Sequence, residues 1–269
     1  MNDHLLGAPR MTAPLVFITG ASSGIGQALA LRFHRAGYRL ALVARRAAEV
    51  QAWAQTQGLD AATWAVYAAD VRDLAAITGA GRACIDAQGL PDVVIASAGL
   101  SVGFDTAIFE DLEVMRTIYE TNNLGMAATF QPFVAPMRAR RSGSFVGIAS
   151  VSGIRGLPGH GAYCSSKAAV ISYCESLRVE LREDGVKVVT LGPGYIDTPL
   201  TRGNPYRMPF LMPVDDFADQ AFQAIVRGTS YRIVPWQMGV LAKLMRLLPN
   251  AVFDRLVSGR GRKPRAGAQ

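Results

Sequence analysis

Short apolar runs punctuated by glycine or small polar residues alternate with longer stretches of helical period along most of the chain. The runs at 15–19, 39–44, 62–68, 92–96, 144–149, 186–191 and 231–234 are too short for helices and rich in Val, Ile, Leu and Ala, as buried strands are. Between them, 27–36, 47–57, 72–88, 109–140, 162–184 and 215–227 read as helices. Strand and helix in strict alternation predict a parallel sheet with helices on both faces. The fold class expected is α/β: a single doubly wound Rossmann-type domain on a parallel seven-stranded sheet. Its limits are 15–235, with a flexible tail at 1–14 and an amphipathic basic arm at 236–269 that is no domain of its own. Residues 199–213, with four prolines and no period, read as a mobile loop over a cleft.

At 269 residues, 50% of them hydrophobic, the chain can enclose one large core without dividing. Its three cysteines, Cys84, Cys164 and Cys174, have no metal-type spacing, and an odd count argues against a disulfide framework. No metal is expected. No stretch approaches 18 uncharged apolar residues, residues 1–14 lack the core of a signal peptide, and a cytoplasmic location follows as the expectation. Met11, just ahead of the first strand, is an alternative start to Met1. Charge changes the picture at one end only. From Arg232 onward there are eight basic residues against one acid, Asp254, which accounts for the whole net charge of +7.

The chemistry begins at Thr19-Gly20-Ala21-Ser22-Ser23-Gly24-Ile25-Gly26, a glycine-rich turn between a strand and a helix. Such turns let backbone approach a pyrophosphate and aim a helix N-terminus at its charge. The spacing is G-x-x-x-G-x-G, not the general G-x-G-x-x-G. After the second strand, where an acid would hold the ribose of NAD, stand Arg45 and Arg46. Guanidinium groups suit a 2′-phosphate, so the cofactor expected is NADP(H). Farther on, Tyr163 and Lys167 are four apart on one helix and share a face. An ammonium beside a phenol should lower its pKa from about 10 and fit it for proton transfer near neutral pH. Ser150 closes the fifth strand, and ligands of such sheets bind beyond the carboxyl ends of the strands.

Together these residues resemble the short-chain dehydrogenase/reductase family, over about 15–234. The resemblance rests on Thr19-Gly-x-x-x-Gly24-x-Gly26, Asp70-Val71, Ala98-Gly99, Asn122, Ser150, Tyr163-x-x-x-Lys167 and Pro193-Gly194 with Thr198. It implies that Tyr163 is the general acid or base, that Lys167 tunes it and holds the nicotinamide ribose, and that Ser150 binds the substrate oxygen. Asn122 would support a proton-relay water, with Asn123 the alternative. Gly20, Ser22, Ser23, Gly24, Ile25 and Gly26 would surround the pyrophosphate, and Asp70 and Val71 the adenine. Ala98, Gly99, Pro193, Gly194 and Ile196 would complete the cofactor wall, Thr198 would meet the nicotinamide amide, and Arg45 with Arg46 the 2′-phosphate. One motif departs from the family: its Asn-Asn-Ala-Gly reads Ala96-Ser97-Ala98-Gly99, with Ser97 expected to replace part of the lost hydrogen bonding.

The function this implies is an NADP(H)-dependent oxidoreductase interconverting a carbonyl and a secondary alcohol, reducing a hydrophobic ketone or aldehyde. The alternatives are an NADP(H)-binding redox sensor or scaffold with little turnover, which would not need Tyr163 and Lys167, and another Rossmann enzyme such as a methyltransferase, which Arg45 and the Tyr-Lys pair disfavour. A homodimer or homotetramer, paired through the long helices, comes with the resemblance. His160 lines the substrate mouth or is an inert loop residue; Met208, Phe210, Leu211 and Met212 form an apolar lid or simply pack. In the arm, Val240, Leu241, Leu244, Leu247 and Leu248 make an apolar stripe beside Lys243 and Arg246. It either packs on the sheet or a sister subunit, or lies on an anionic membrane with Trp236 and Phe253 at the interface. No nucleic-acid motif accompanies the basic tail.

Overall fold

The computed structural model describes residues 13–259 and 261–265; Met1, Met11, most of the expected N-terminal tail and Arg260 of the basic tail lie outside them. Seven strands make one parallel sheet: β1 (Leu15–Thr19), β2 (Arg39–Ala44), β3 (Trp64–Ala68), β4 (Val93–Ala96), β5 (Ser144–Ile148), β6 (Lys187–Pro193) and β7 (Tyr231–Val234). Their order is β3-β2-β1-β4-β5-β6-β7. Growth of the sheet reverses between β1 and β4, where a crevice opens beyond the carboxyl ends.

The helices among the described residues are α1 (Gly24–Arg35), α2 (Ala47–Thr56), α3 (Leu74–Gln88), α4 (Asp111–Tyr119), α5 (Gly125–Arg140), α6 (Gly161–Glu180), α7 (Pro199–Arg202), α8 (Val214–Arg227), α9 (Trp236–Leu247) and α10 (Asn250–Val257). Alternate residues of each strand serve opposite faces. Val16, Ile18, Leu40 and Leu42 join Leu29, Phe33, Phe217 and Phe222 in one core. Leu15, Phe17, Ala41 and Val43 join Ile77, Phe130, Phe133 and Phe145 in another. Both faces are covered, which is why the strands read as continuous apolar runs.

Several expectations are adjusted. The third strand starts at Trp64, not 62, because Asp60 accepts the Ala62 N–H and winds Ala61–Thr63 into a short 3-10 turn. The long helix expected at 109–140 is divided by a π-helical turn, Glu120–Leu124. The loop at 199–213 contains α7, and a bridge between Ile196 and Met212 closes its base.

The apolar stripe of the arm is not packed on the sheet. Only Met238 and Gly239 of α9 are buried, while Val240, Leu241, Leu244 and Leu247 are exposed, Leu247 to 80%. Further inward contacts come from α10: Phe253 is buried beneath the Arg155 guanidinium, 3.8 Å from its ring centre. The same guanidinium donates to the Met245 and Leu248 carbonyls and to Asn250. One arginine thus anchors both helices. No helix among the described residues is long and apolar enough to cross a membrane.

Candidate active site

The glycine turn after β1 is held by contacts that no side chain would tolerate. Gly20 has φ +70°, and a Cβ there would stand 2.8 Å from the Ala98 backbone. A Cβ on Gly26 would run into the Gly20 carbonyl. Gly24, at φ +55°, faces Thr198. Thr19 fixes the opposite lip, since its hydroxyl accepts the N–H groups of Ser97 and Ala98 at 3.2 and 3.3 Å. This corrects one expectation: the tie between the central strands is made by Thr19, not by the Ser97 side chain. Helix α1 starts here with no side-chain cap from Ser23 and no acid in its first turn. Its N–H groups and positive dipole end are left to a ligand.

The turn forms one wall of a cavity of about 520 Å³. Every residue expected to hold the cofactor lines it: Gly20, Ser22, Ser23, Gly24, Ile25, Gly26, Arg45, Arg46, Asp70, Val71, Ala98, Gly99, Tyr163, Lys167, Pro193, Gly194, Ile196 and Thr198. The shape, the glycine cradle and the open helix terminus fit a dinucleotide. At the β2 end stands a third arginine that the sequence reading passed over. Arg72 holds Asp70 at 2.9 Å, while Arg45 lies 3.8 Å from the same carboxylate with its side chain 63% exposed. Arg46 is engaged with Glu49 at 2.7 Å. The hydrogen bond from Arg72 keeps the Asp70 carboxyl below its ordinary pKa, so it is ionised and orients the arginines beside it. The Asp-x-Arg spacing was the available sign.

Ser150, Tyr163 and Lys167 line the same cavity from β5 and α6. Ser150, two residues beyond β5, has extended backbone and caps the short turn that follows by accepting the Ser152 N–H. Tyr163 is in the first turn of α6 and hydrogen-bonded to Ser150. Lys167, one turn on, is 5% exposed and donates to the Ile148 carbonyl at 2.7 Å. Its Nζ lies 5.8 Å from the Tyr163 ring centre. The electrostatics reverse the expectation of a lowered phenol. Burial raises the Tyr163 pKa to about 12, against which the Ser150 hydrogen bond pulls, and burial lowers Lys167 to about 8. Desolvation is the largest cause at both groups, at the half-buried phenol and at the buried ammonium alike. The phenol therefore keeps its proton at neutral pH, the form a general acid requires.

Asn122 does not reach the cavity. It is buried in the π-helical turn, where its amide donates to the Leu100 carbonyl (3.0 Å) and Ser166 hydroxyl (2.9 Å) and accepts from the Leu100 N–H (2.8 Å). Ser166 in turn donates to the Tyr163 carbonyl at 2.8 Å. Asn122 is therefore a positioning residue, bracing the loop after β4 against the first turn of α6. Asn123 adds a bond to the Ser166 carbonyl. Both amides of the π-helical turn thus meet one serine.

His160, a loop residue in the sequence reading, is 6% exposed and stands edge-on to Tyr163 and Tyr206, with ring centres 6.4 and 5.9 Å away. It is packed behind Tyr163 and is not among the residues that line the cavity. Of the apolar lid residues, Phe210 and Leu211 are exposed, and Met212 packs against the core below α8. The three cysteines are buried free thiols, and no cluster able to hold a metal exists among the described residues.

Residues 14–207 match the family model of short chain dehydrogenases. An uncharacterized oxidoreductase of Myxococcus xanthus is 38% identical over 91% of this chain and 96% of its own length. Dehydrogenase/reductase SDR family member 7B of Bos taurus is 31% identical, over 93% of this chain and 82% of its own. Among solved structures, a short chain dehydrogenase/reductase from Burkholderia phymatum in complex with NAD superposes with a TM-score of 0.78. It is 22% identical and aligns over 96% of this chain and 98% of its own. ElxO with NADP bound gives 0.74 at 22% identity, over 83% of this chain and 97% of its own.

Proposed function

The chain belongs to the short-chain dehydrogenase family, and from that premise we propose that it is an NADP(H)-dependent oxidoreductase interconverting a carbonyl and a secondary alcohol, working as a reductase of a hydrophobic ketone or aldehyde. The observation that carries this reading is the facing of two walls across one cavity. On one are the glycine turn and the open end of α1; on the other are Tyr163, Ser150 and Lys167. A nicotinamide cofactor held against the first wall would supply the hydride. Tyr163, protonated at neutral pH, gives its proton to the carbonyl oxygen as charge develops there, and Ser150 donates a hydrogen bond to the same oxygen. Lys167, fixed to the Ile148 carbonyl, sets a donor in the floor of the cleft. Asn122 keeps the Tyr163 turn in place through Ser166.

The two superposed structures hold NAD in one case and NADP in the other, so the fold does not choose between them. The arginines favour the phosphorylated form. Arg45 is exposed at the cavity's edge, Arg72 stands beside it, and no acid but the arginine-paired Asp70 lines that end. Exposed apolar side chains favour an apolar substrate: Leu200, which lines the cavity, and Phe210 and Leu211 farther along the same loop. We propose as well that the chain self-associates through its long helices and that α9 and α10 meet an anionic membrane surface.

The test is consumption of NADPH and NADH over a panel of aliphatic, aromatic, steroid and acyl-chain carbonyls. Tyr163→Phe should lower turnover by about 10²–10⁴-fold while cofactor binding, followed by fluorescence, persists. Arg45→Ala should weaken NADPH by about tenfold or more and leave NADH unchanged. NADH preferred by the unaltered protein would contradict the arginine reading. A Phe variant as active as the parent would contradict the mechanism.

A further inference from the structure

Residues 261–265 cross the mouth of the cleft, joining loops that follow three different strands. Gly103, beyond β4, pairs with Arg265 in a parallel bridge, and its N–H donates to the Pro264 carbonyl at 3.1 Å. Gly103 has to be glycine there, because a Cβ would collide with the Lys263 carbonyl. Arg262 pairs with Asp105 at 3.1 Å and packs over Gly159, beyond β5. Arg265 grips Asp111 with two bonds of 2.7 and 2.8 Å, and Asp111 is 3% exposed. Gly261 lies against Tyr206, beyond β6.

Between the two arginines stands Lys263. Its ammonium donates to the Ser101 hydroxyl at 3.2 Å and the Leu200 carbonyl at 3.1 Å. Leu200, whose carbonyl it meets, and Leu100, next in the chain to Ser101, line the catalytic cavity. Each arginine of the segment has a carboxylate, but among the described residues Lys263 has none. Both its acceptors are neutral, among the described residues one of its three N–H donors has no acceptor, and burial holds its pKa below the ordinary lysine value. A half-buried cation met only by neutral oxygens is incompletely compensated for the water it has lost. The Ser101 hydroxyl, 9% exposed, accepts from it and keeps its own O–H to give. One N–H and one O–H are thus presented together beside the cavity, the donor set for a carboxylate.

We propose that Lys263 is a specificity residue of the substrate site, taking, with Ser101, the carboxylate of a substrate whose reacting carbonyl lies at Tyr163. The substrate class is then an amphiphilic oxo acid, with an apolar body between an oxo group and a distal carboxylate. The proposal rests on the reductase reading and adds the far end of the substrate to it.

The experiment uses the full chain with NADPH and matched pairs of straight-chain oxo acids and their methyl esters, the chain between oxo group and carboxyl lengthened stepwise. At the best spacing the acid should exceed its ester in kcat/KM by about tenfold or more, as a difference in KM. Lys263→Met should bring the acid down to the ester's level while leaving the ester and kcat unchanged, and Lys263→Arg should retain the preference. Equal acid and ester at every spacing would overturn the proposal. So would Lys263→Met depressing both alike, which makes the lysine a structural pin. If no pair turns over, calorimetric binding of acid and ester to the NADPH-loaded protein decides separately. An acid preference lost in Lys263→Met upholds the lysine's role although the reductase reading has failed; no preference overturns it.

Discussion

Tyr163 and Lys167 show what spacing reveals at the scale of residues and what it does not. Four residues on a helix place them on one face, which the sequence displays; how deeply that face is buried depends on β5, β6 and the π-helical turn, which it does not. Depth reverses the sign of the phenol's shift. For Lys167 it has a measurable consequence. The group titrates near 8 in the fold and near 10.5 unfolded, so between those values the unfolded chain holds more protons and stability rises with pH. Below pH 8 the full penalty applies, about 3 kcal/mol. Lys167→Met should therefore stabilise the ligand-free protein at pH 7, less whatever the abandoned Ile148 carbonyl costs, and the gain should shrink by pH 10. Urea unfolding at the two pH values checks this; an equal gain at both would show that the ammonium's burial is not its source. Arg72 and Lys263 were harder to foresee. Arg72 needed only a glance at Asp-x-Arg, but Lys263 finds its partners 162 and 63 residues away, and no local pattern encodes such a meeting.

Elements were read more fully. A buried parallel strand announces itself by a run of apolar residues, so β1 and β2 were found with the bounds they have, as was the half-exposed edge strand β7. The π-helical turn escaped because its amides are held by Leu100 and Ser166, tertiary partners absent from any window of the helix itself. The glycines of β1–α1 are legible as a motif, and the structure separates those whose lack of a side chain is required from those where it is incidental. Gly26 has no room for a methyl group beside the Gly20 carbonyl, whereas Gly79 in α3 has open space. Gly26→Ala should cost about 1–3 kcal/mol by overpacking and weaken dinucleotide binding. Gly79→Ala should instead stabilise by about 0.5–1 kcal/mol, through backbone entropy alone. Thermal melts of the two variants should move in opposite directions, and a shift of the same sign in both would refute the packing argument.

For the whole molecule, alternation of strand and helix was enough to give the sheet and its crevice, since parallel pairing and crossover rules leave few other arrangements. The course of 261–265 was not legible: a basic tail reads as solvated until its carboxylate partners are seen. Charge asymmetry was legible, and its combination with the exposed side chains of α9 and α10 gives it a use. Trp236, Val240, Leu241, Leu244, Leu247, Val252 and Leu256 are all exposed, with Lys243, Arg246 and Arg255 among them. Such a surface suits anionic lipid better than a second copy of itself, because two like-charged faces repel. The full chain should sediment with phosphatidylserine-containing vesicles, less so in high salt, and Leu244→Glu with Leu247→Glu should release it. Sedimentation unaffected by lipid charge and by both substitutions would dismiss the idea.

The sheet also divides the apolar interior into two bodies that share no residue. Phe33 and Phe133 lie on its opposite faces, so truncating both should cost the sum of the separate losses. Phe33 and Phe222, whose rings meet at 4.9 Å within one body, should not add in this way. Both bodies draw on the same strands, so the two losses subtract from one shared stability, and the sheet sets only how they combine.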